Sequence, residues 1–285
     1  MPNNIAFRKA YTTILDEVYK LASLTSVLDG PNDMVREGAN ANEILIPKMD
    51  MDGLGDYDRQ KGYPDGSVTL EYETKKCSYD RGKKFMVDAV DNMDTAGVAF
   101  GRLAGEFLRT KVVPELDAYR FASYASTEGI KSAYGALANG KDVLTALRVA
   151  RSAILEVEAT LEGSYLFITP TLRGVVDDLD TTASKKAMEG FAGVISVPQT
   201  RFVSSVKLGE NGFTKGEQAV DINFMIIPKA AVIQFQKHTV PKIFSPDENQ
   251  GGDGYMFAYR TVGIAETYDN KRPAMYVHTA SEITG

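Results

Sequence analysis

The chain has 285 residues, 44% hydrophobic and 25% charged, with a formal net charge of −6. This is an ordinary balance for a globular protein. Its one cysteine, Cys77, cannot form an internal disulfide, and its interspersed charges lack the basic excess typical of tight nucleic-acid binding. The amino terminus has no apolar core after a basic patch, and no apolar run reaches the roughly 20 residues of a membrane span, so we expect neither a signal peptide nor a membrane anchor.

The first 90 residues predict a helix followed by an extended β arm. Apolar residues recur at helical spacing over residues 1–29, from Phe7 to Leu21, and Asp29-Gly30-Pro31 ends that pattern. Residues 44–48 and 68–73 predict strands around a stretch rich in Asp and Gly, and residues 83–88 are a further candidate strand. Because a two-stranded ribbon is marginally stable in water, we expect this arm to lean on its own chain or on a neighbour.

The strongest helical pattern covers residues 94–127, with Asp94 as a candidate N-cap. An apolar stripe runs from Phe100 to Val112 and resumes after Pro114. Proline lacks the amide hydrogen and clashes with the preceding turn, so Pro114 should kink or interrupt this helix.

The remaining sequence predicts a mixture of short helices and strands. Helices are predicted over residues 141–161, 172–179 and 229–236, and strands over 165–169, 194–198, 222–227, 255–267 and 275–279. A turn at residues 270–273 predicts that the last two strands form a hairpin. The order lacks the regular alternation of a doubly wound parallel sheet, which indicates an α+β fold.

Candidate residues for catalysis or metal binding are few. His238 and His278 lack further ligands at the spacing of a metal site. Cys77 lies beside two lysines but has no histidine near it in sequence to act as a base. We therefore interpret the histidines as ordinary polar residues and the cysteine as a small packing residue.

Two loops resemble ligand-binding motifs only in part. The acidic stretch from Asp50 to Asp58 aligns with a calcium loop at the sharp turn, Gly55. However, Leu54 occupies a ligand position, and Lys61 stands where the bidentate glutamate belongs. The glycine-rich turn at residues 251–254 lacks the Lys-Ser/Thr of a phosphate-binding loop and precedes a predicted strand. We expect no cofactor, no metal ion and no enzymatic activity.

Three stretches carry a recognisable order of motifs. The first is ILIPKM…GLGDYDRQKGY followed by DRGKKFMVDAVDNMDTA, and the second is AGEFLRTKVVPELDAYRFASYAS. The third is INFMIIPKAAVIQFQKHTVPKIFSPDENQGGDGYMFAYRTVGIAETYDNKRPAMYVH. From about residue 40 to the end, their order and spacing resemble the major capsid proteins of tailed bacteriophages with the Hong Kong 97 fold.

The resemblance implies a division of the chain. Residues 1–40 would form an N-terminal arm, 41–92 an extended β-hairpin loop, and 93–139 a peripheral domain with a long spine helix. Residues 140–254 would form mainly the axial domain, and 255–285 strands that return to the peripheral domain.

The resemblance also implies partners and location. Family members form hexamers and pentamers that close an icosahedral shell around double-stranded DNA, without tight specific binding to it. Little sequence precedes the arm, so we expect a separate scaffolding protein, together with a portal. The protein would reside in the virion after assembly in the host bacterial cytoplasm, with no membrane partner.

Charges of both signs in the arm suggest ion pairs between subunits. The candidate contact residues are Lys48, Asp50, Asp52, Asp56, Asp58, Arg59, Lys61, Lys75 and Lys76. Three alternatives remain open from the sequence: an encapsulin-like nanocompartment shell that packages a cargo enzyme, a small-molecule enzyme with a cleft between two subdomains, and a phage decoration or tail protein.

Overall fold

The computed structural model describes residues 22–30, 36–37, 43–57, 59–60, 62–88, 98–249 and 251–283. A helix was predicted over residues 1–29, but residues 1–21 lie outside the described residues. The described residues 22–29 contain a short 3₁₀ helix, Ser26–Leu28. The candidate N-cap Asp94 also lies outside the described residues.

The described residues form strands and α-helices, numbered in chain order. The strands are β1 (Arg36–Glu37), β2 (Glu43–Met51), β3 (Val68–Lys76), β4 (Tyr79–Asp88), β5 (Lys131–Tyr134), β6 (Ser164–Ile168), β7 (Gly193–Ser196), β8 (Val206–Gly209), β9 (Gly212–Lys215), β10 (Ile222–Pro228), β11 (Val232–Phe244), β12 (Gly254–Thr267) and β13 (Tyr276–Thr279). The α-helices are α1 (Val98–Phe107), α2 (Val113–Ala125), α3 (Gly140–Leu155), α4 (Pro170–Asp177) and α5 (Thr182–Met188).

The predicted arm is an antiparallel hairpin of β2 and β3. Its register runs from Glu43 opposite Lys76 at the root to Met51 opposite Val68 near the tip. The short β1 adds to the outer edge of β2. Strand β4, which follows β3 directly, leaves the hairpin and pairs along its length with β12.

A second sheet has the order β11-β12-β4 and corrects two predictions. The helix predicted over residues 229–236 is wrong, because only the 3₁₀ turn Lys229–Ala231 is helical before β11 begins. The predicted hairpin of the last two strands is also wrong. β12 pairs with β11 and β4, while the 3₁₀ segment Asp269–Ala274 carries the chain on to β13 in another sheet.

The five-stranded sheet has the order β5-β13-β10-β6-β7, and its three central strands are largely buried on both faces. On β10, Phe224 and Ile226 face a cluster with Leu147 of α3, whereas Met225 and Ile227 belong to the cluster that contains α2. Because side chains alternate along a strand, two covered faces require the unbroken apolar run that the sequence has here. The sheet therefore lies between two helical layers, each supplying a hydrophobic core.

The helices begin where their first residues supply suitable caps. The Asn139 side chain accepts hydrogen bonds from the amides of Lys141 and Asp142, both at 3.0 Å, which caps α3. Pro170 starts α4, where its missing amide hydrogen has no cost. Helix α5, which the sequence analysis did not predict, begins with a reciprocal capping box between Thr181 and Ser184.

A continuous long helix joins α1 to α2 through a π-helical segment, Leu108–Val112. Pro114 lies two residues after the end of this segment, in the first turn of α2. Proline cannot donate to the carbonyl four residues earlier, so a wider local turn relieves the steric conflict and keeps the helix unbroken. The interruption expected at Pro114 therefore takes the form of a π-helical segment.

Candidate assembly surfaces

The root of the β2–β3 hairpin packs on the three-stranded sheet. Ile44 and Ile46 are buried against Ile233, Phe235 and Ile264. Cys77, half-buried, packs at the edge of this same cluster. The root is therefore fixed to the body of the chain by apolar burial, while the distal part projects from it.

The distal hairpin exposes apolar side chains. Most of the large apolar side chains that the described residues leave exposed lie in this hairpin: Met49, Met51, Leu54, Tyr57, Tyr63, Val68, Leu70 and Tyr72. Leu54 is fully exposed and Tyr63 is 88% exposed, with its ring 5.1 Å from that of Tyr57. Single exposed apolar residues are common, but a concentration of them on one projecting element marks an interaction surface.

Two of the candidate contact residues are engaged within the hairpin. The Asp52 carboxylate accepts a hydrogen bond from the Ser67 amide at 2.8 Å, and the Asp52 amide donates to the Ser67 carbonyl at 3.1 Å. The Lys75 ammonium lies 2.7 Å from the Glu73 carboxylate, and this hydrogen bond raises the pKa of Lys75. Asp52 thus closes the tip of the ribbon, and Lys75 pairs near its root.

Of the other candidate contact residues, the structure describes the side chains of only three. Asp56, Arg59 and Lys76 are exposed. Lys48 and Asp50 lie on β2, but their side chains, like the whole of Asp58 and Lys61, lie outside the described residues.

A groove of about 820 Å³ lies between β4, the long helix, the β8–β9 turn and β12. Its floor is aromatic, with the Phe107 ring centroid 4.8 Å from that of Phe85 and 6.2 Å from that of Tyr259. Leu103 and Val112 extend this floor along the helix. Charged side chains of both signs also line the groove: Arg81, Lys83, Glu106, Lys111, Glu210 and the buried Glu115.

Polar contacts hold the β8–β9 turn at one end of this groove. The Arg81 guanidinium donates to the Glu115 carboxylate at 2.8 Å and to the Gly209 carbonyl at 2.5 Å. The Lys83 ammonium donates to the Glu210 carbonyl at 3.1 Å. Burial, and then the Glu115 charge, raises the pKa of Tyr79, whose hydroxyl donates to Glu115 at 3.1 Å.

A buried carboxylate fixes the start of the described chain to the long helix. Asp117 is 0% exposed and accepts hydrogen bonds from the Ser23 hydroxyl at 2.9 Å and the Leu24 amide at 3.0 Å. It also accepts from the Thr25 amide at 3.2 Å and the Thr25 hydroxyl at 2.6 Å. The Arg201 guanidinium lies 3.4 Å away and supplies an opposite charge.

A second buried charge extends this set of contacts. Arg120, 1% exposed, donates to the Thr25 hydroxyl at 2.9 Å and lies 3.4 Å from the Asp29 carboxylate. The Gln234 amide group donates to the Thr25 carbonyl at 2.6 Å and accepts from the Tyr124 hydroxyl at 2.8 Å. We call the contacts of Asp117 and Arg120 with residues 23–29 the polar lock. Sequence reasoning missed it because its two halves lie more than 90 residues apart.

The histidines occupy different positions. The His278 ring is buried on β13, its Nδ1 lies 3.0 Å from the Asn223 amide nitrogen, and burial lowers its pKa. The His238 side chain lies outside the described residues. Among those residues, no three His, Cys, Asp or Glu side chains are grouped so that they could hold a metal ion. The helices of this part of the chain are too short or too polar to cross a lipid bilayer.

Comparison with known proteins gives matches in structure alone. No protein-family model and no curated sequence matches this chain. The virus-like particle from Pyrococcus furiosus is 17% identical, with a TM-score of 0.59 over 93% of this chain and 96% of that chain. The capsid of the cyanophage P-SCSP1u is 13% identical, with a TM-score of 0.56 over 87% and 86%. The capsid of Myoviridae phage XM1 is 11% identical, with a TM-score of 0.55 over 90% and 91%.

These matches establish the fold. The predicted α+β class is confirmed, and the chain has the Hong Kong 97-type capsid fold that the three sequence stretches resemble. The similar chains come from phage capsids and a virus-like particle.

Proposed function

We propose that this chain is a major capsid protein that assembles with copies of itself into hexamers and pentamers, which form the icosahedral shell around a phage double-stranded DNA genome. The proposal rests on one observation. Most of the chain shares its fold with phage capsid proteins, and its β2–β3 hairpin exposes apolar side chains to solvent. A monomer gains nothing from such a surface, whereas a neighbouring copy can bury it.

The hairpin is proposed as the contact between subunits. Its root is held by Ile44 and Ile46, so the strands project at a fixed place on the body. Its distal apolar residues lose water on docking, and its exposed charges, such as Asp56, Arg59 and Lys76, set orientation at the rim. The remaining candidate charges, Lys48, Asp50, Asp58 and Lys61, are proposed to contribute in the same way.

The division of the chain follows the same proposal. Residues 1–40 serve as the N-terminal arm, 41–92 as the extended loop, 93–139 and 255–285 as the peripheral domain, and 140–254 mainly as the axial domain. Because β11 pairs with β12, which the proposal assigns to the peripheral domain, we propose that residues 232–244 also belong with the peripheral part.

The proposed partners are those that a closed shell around a genome requires. A scaffolding protein and a portal guide closure, and assembly takes place in the host bacterial cytoplasm before the protein resides in the virion. The net charge of −6 suits a wall that holds DNA without binding it tightly. The similar phage capsids favour a genome container over an encapsulin-like shell with a cargo enzyme, and over an enzyme with a cleft.

The test is assembly of purified chains, followed by sedimentation velocity and negative-stain electron microscopy. The wild-type chain, with scaffold if needed, should form closed shells. Leu54→Asp combined with Val68→Asp should leave small species with unchanged circular dichroism, because charges on the exposed apolar surface oppose its burial. Leu54→Met keeps an apolar side chain and is the matched control, which should assemble normally.

The charge contribution is tested separately with Arg59→Glu and Lys61→Glu, which should impair assembly and leave the monomer folded. Normal shells from the Leu54→Asp, Val68→Asp chain would exclude the hairpin as the contact. A wild-type chain that never assembles, even when a scaffolding protein is supplied, would contradict the proposed function. Particles that hold a protein cargo in place of nuclease-protected DNA would support the encapsulin-like alternative.

A further inference from the structure

The β8–β9 turn carries an Asn-Gly dipeptide. The sequence contains two such dipeptides, Asn139-Gly140 and Asn211-Gly212. In both, the glycine lacks the Cβ that would hinder the approach of its amide nitrogen to the preceding side chain. This nitrogen can attack the asparagine Cγ and close a five-membered succinimide ring, an intramolecular step that proximity favours. The local structure then decides how readily each ring closes.

The Asn211-Gly212 dipeptide lies in an open turn. Asn211 is exposed, and the hairpin ends with Gly209 opposite Gly212. Gly212 has a φ of +124°, in the region that glycine adopts without strain. No described atom lies within 4 Å of the position that a Cβ on Gly212 would occupy. The glycine can therefore rotate during ring closure without meeting a neighbouring atom.

A lysine of β4 contacts the amide that would be attacked. The Lys83 ammonium donates to the Asn211 Oδ1 at 3.3 Å and to the Glu210 carbonyl at 3.1 Å. When the Gly212 nitrogen attacks, negative charge develops on Oδ1, and a cation held beside this oxygen stabilises that charge. Because Lys83 lies 128 residues from Asn211 in sequence, only the folded chain supplies this contact.

The Asn139-Gly140 dipeptide is held against ring closure. The Asn139 Oδ1 accepts hydrogen bonds from the amides of Lys141 and Asp142, which cap α3. Gly140 is buried, and a Cβ there would meet the Val175 carbonyl oxygen. Rotation of the Asn139-Gly140 peptide would therefore break both capping hydrogen bonds and disturb the packing of α3 on α4.

We propose that Asn211 is a site of slow, non-enzymatic deamidation that Lys83 promotes. The Gly212 nitrogen forms a bond to the Asn211 Cγ, the bond from Cγ to Nδ2 breaks, and Nδ2 leaves as ammonia with the proton of the attacking nitrogen. Water then hydrolyses the succinimide at either of its carbonyl carbons, which yields an aspartate or an isoaspartate residue at this position. Water is the only co-reactant.

The products change the turn at one end of the aromatic groove. Each product adds a carboxylate beside Glu210 and within reach of the Lys83 ammonium. Isoaspartate also inserts a methylene group into the main chain, which disturbs the pairing of Gly209 with Gly212. This modification goes beyond the proposed shell function, because it takes place within one chain and needs no second copy.

The test is peptide mass spectrometry of the purified, unassembled full-length chain after incubation at mildly alkaline pH. Deamidation replaces an NH₂ group by an OH group and is read from the mass of each peptide. Asn211 should react about 10-fold or more faster than Asn139, because ring closure at Asn139 first requires local opening of the helix start. In guanidinium chloride, which unfolds the chain, the two sites should react at similar rates.

Two lysine variants separate activation from exposure. Lys83→Met should slow deamidation of Asn211 by about 3-fold or more, because the cation beside the developing charge is lost. Lys84→Met makes the same chemical change on the opposite face of β4 and should leave the rate unchanged. Neither variant should alter the rate in guanidinium chloride.

Three results would overturn the proposal. Equal rates at Asn211 and Asn139 in the folded chain would mean that the fold does not select the turn. An Asn211 that stays intact when folded but reacts when unfolded would mean that the hairpin protects it. Equal rates in Lys83→Met and Lys84→Met would mean that Lys83 does not promote the reaction. Shell formation is scored separately, so a failure of the proposed function would leave these measurements unaffected.

Discussion

Replacing Asp117 with asparagine should destabilise the protein strongly. The carboxylate is fully buried and accepts four hydrogen bonds from Ser23, Leu24 and Thr25, with the Arg201 guanidinium beside it. Asparagine keeps one acceptor oxygen but turns an NH₂ group toward donors that already point at the site. It also removes the negative charge that strengthens every remaining hydrogen bond.

The magnitude follows from this count of contacts. A hydrogen bond to a charged group contributes about 1.5–3 kcal/mol. Even with its NH₂ group at the Oδ2 position, Asp117→Asn leaves the Leu24 amide and the Arg201 guanidinium without their acceptor. Breaking a buried charge pair costs about 3–5 kcal/mol, because the remaining charge stays buried. We therefore expect a loss of about 3–5 kcal/mol in the free energy of unfolding. With a urea m-value of about 3 kcal/mol/M, the unfolding midpoint should fall by about 1–1.7 M.

Urea unfolding followed by circular dichroism measures this shift, and hydrogen exchange at the Leu24 and Thr25 amides reports the lock directly. Glu106→Gln is the matched control, since it makes the same chemical change in an exposed pair with Arg109. Exposed pairs contribute about 0–1 kcal/mol. If the two variants shift the midpoint equally, or if both amides keep their protection in Asp117→Asn, the polar lock does not anchor this segment.

Further predictions concern one ion pair, one close approach and one histidine. Glu115→Gln should lower the free energy of unfolding by about 1–3 kcal/mol in urea unfolding, because it leaves the Arg81 guanidinium without its charged acceptor; an unchanged midpoint would contradict this. Gly140→Ala should destabilise the protein by about 1–3 kcal/mol in thermal unfolding, although alanine favours a helix, because the added Cβ would clash with a carbonyl oxygen of α4. In the control Gly105→Ala the added Cβ meets no atom, so this variant should be about 0.5–1 kcal/mol more stable in the same assay. Because burial lowers the pKa of His278, the unfolded chain binds this proton more readily below its ordinary pKa of 6.5, so stability should fall as the pH drops through that value. His278→Gln should make the decline shallower in urea titrations at stepped pH, and an unaltered slope would count against this origin.

The sequence predicted correctly those elements whose own pattern of apolar and polar residues distinguishes a strand from a helix. The apolar run of β10 is a local record of two covered faces. The alternation in β3 predicted the strand correctly, but its apolar residues Val68, Leu70 and Tyr72 are exposed in this chain. The helix predicted over residues 229–236 was wrong because four or five apolar residues fit either period. Pairing of Val232 and Phe235 with β12 decides in favour of a strand.

Turn residues predict where the chain bends, but they do not predict with which strand the next strand pairs. The turn around residues 270–273 exists as the 3₁₀ segment, yet it connects two sheets and not two strands of a hairpin. The polar lock and the groove were missed for a related reason. Asp117 and Arg120 stand among apolar residues of a helix, a signal of buried charge, but their partners come from a distant segment that no local period identifies.

The placement of β12 and β13 affects how the chain can fold during synthesis. β12 is the middle strand of the three-stranded sheet, and β13 lies between β5 and β10 in the five-stranded sheet. A ribosome-bound chain that ends before residue 254 would leave β4 without its partner and β5 without a neighbour in the sheet. Neither sheet can close until residues 254–279 have emerged. Domains acquire their packing as synthesis proceeds, so this order of strands postpones a finished subunit until late in translation.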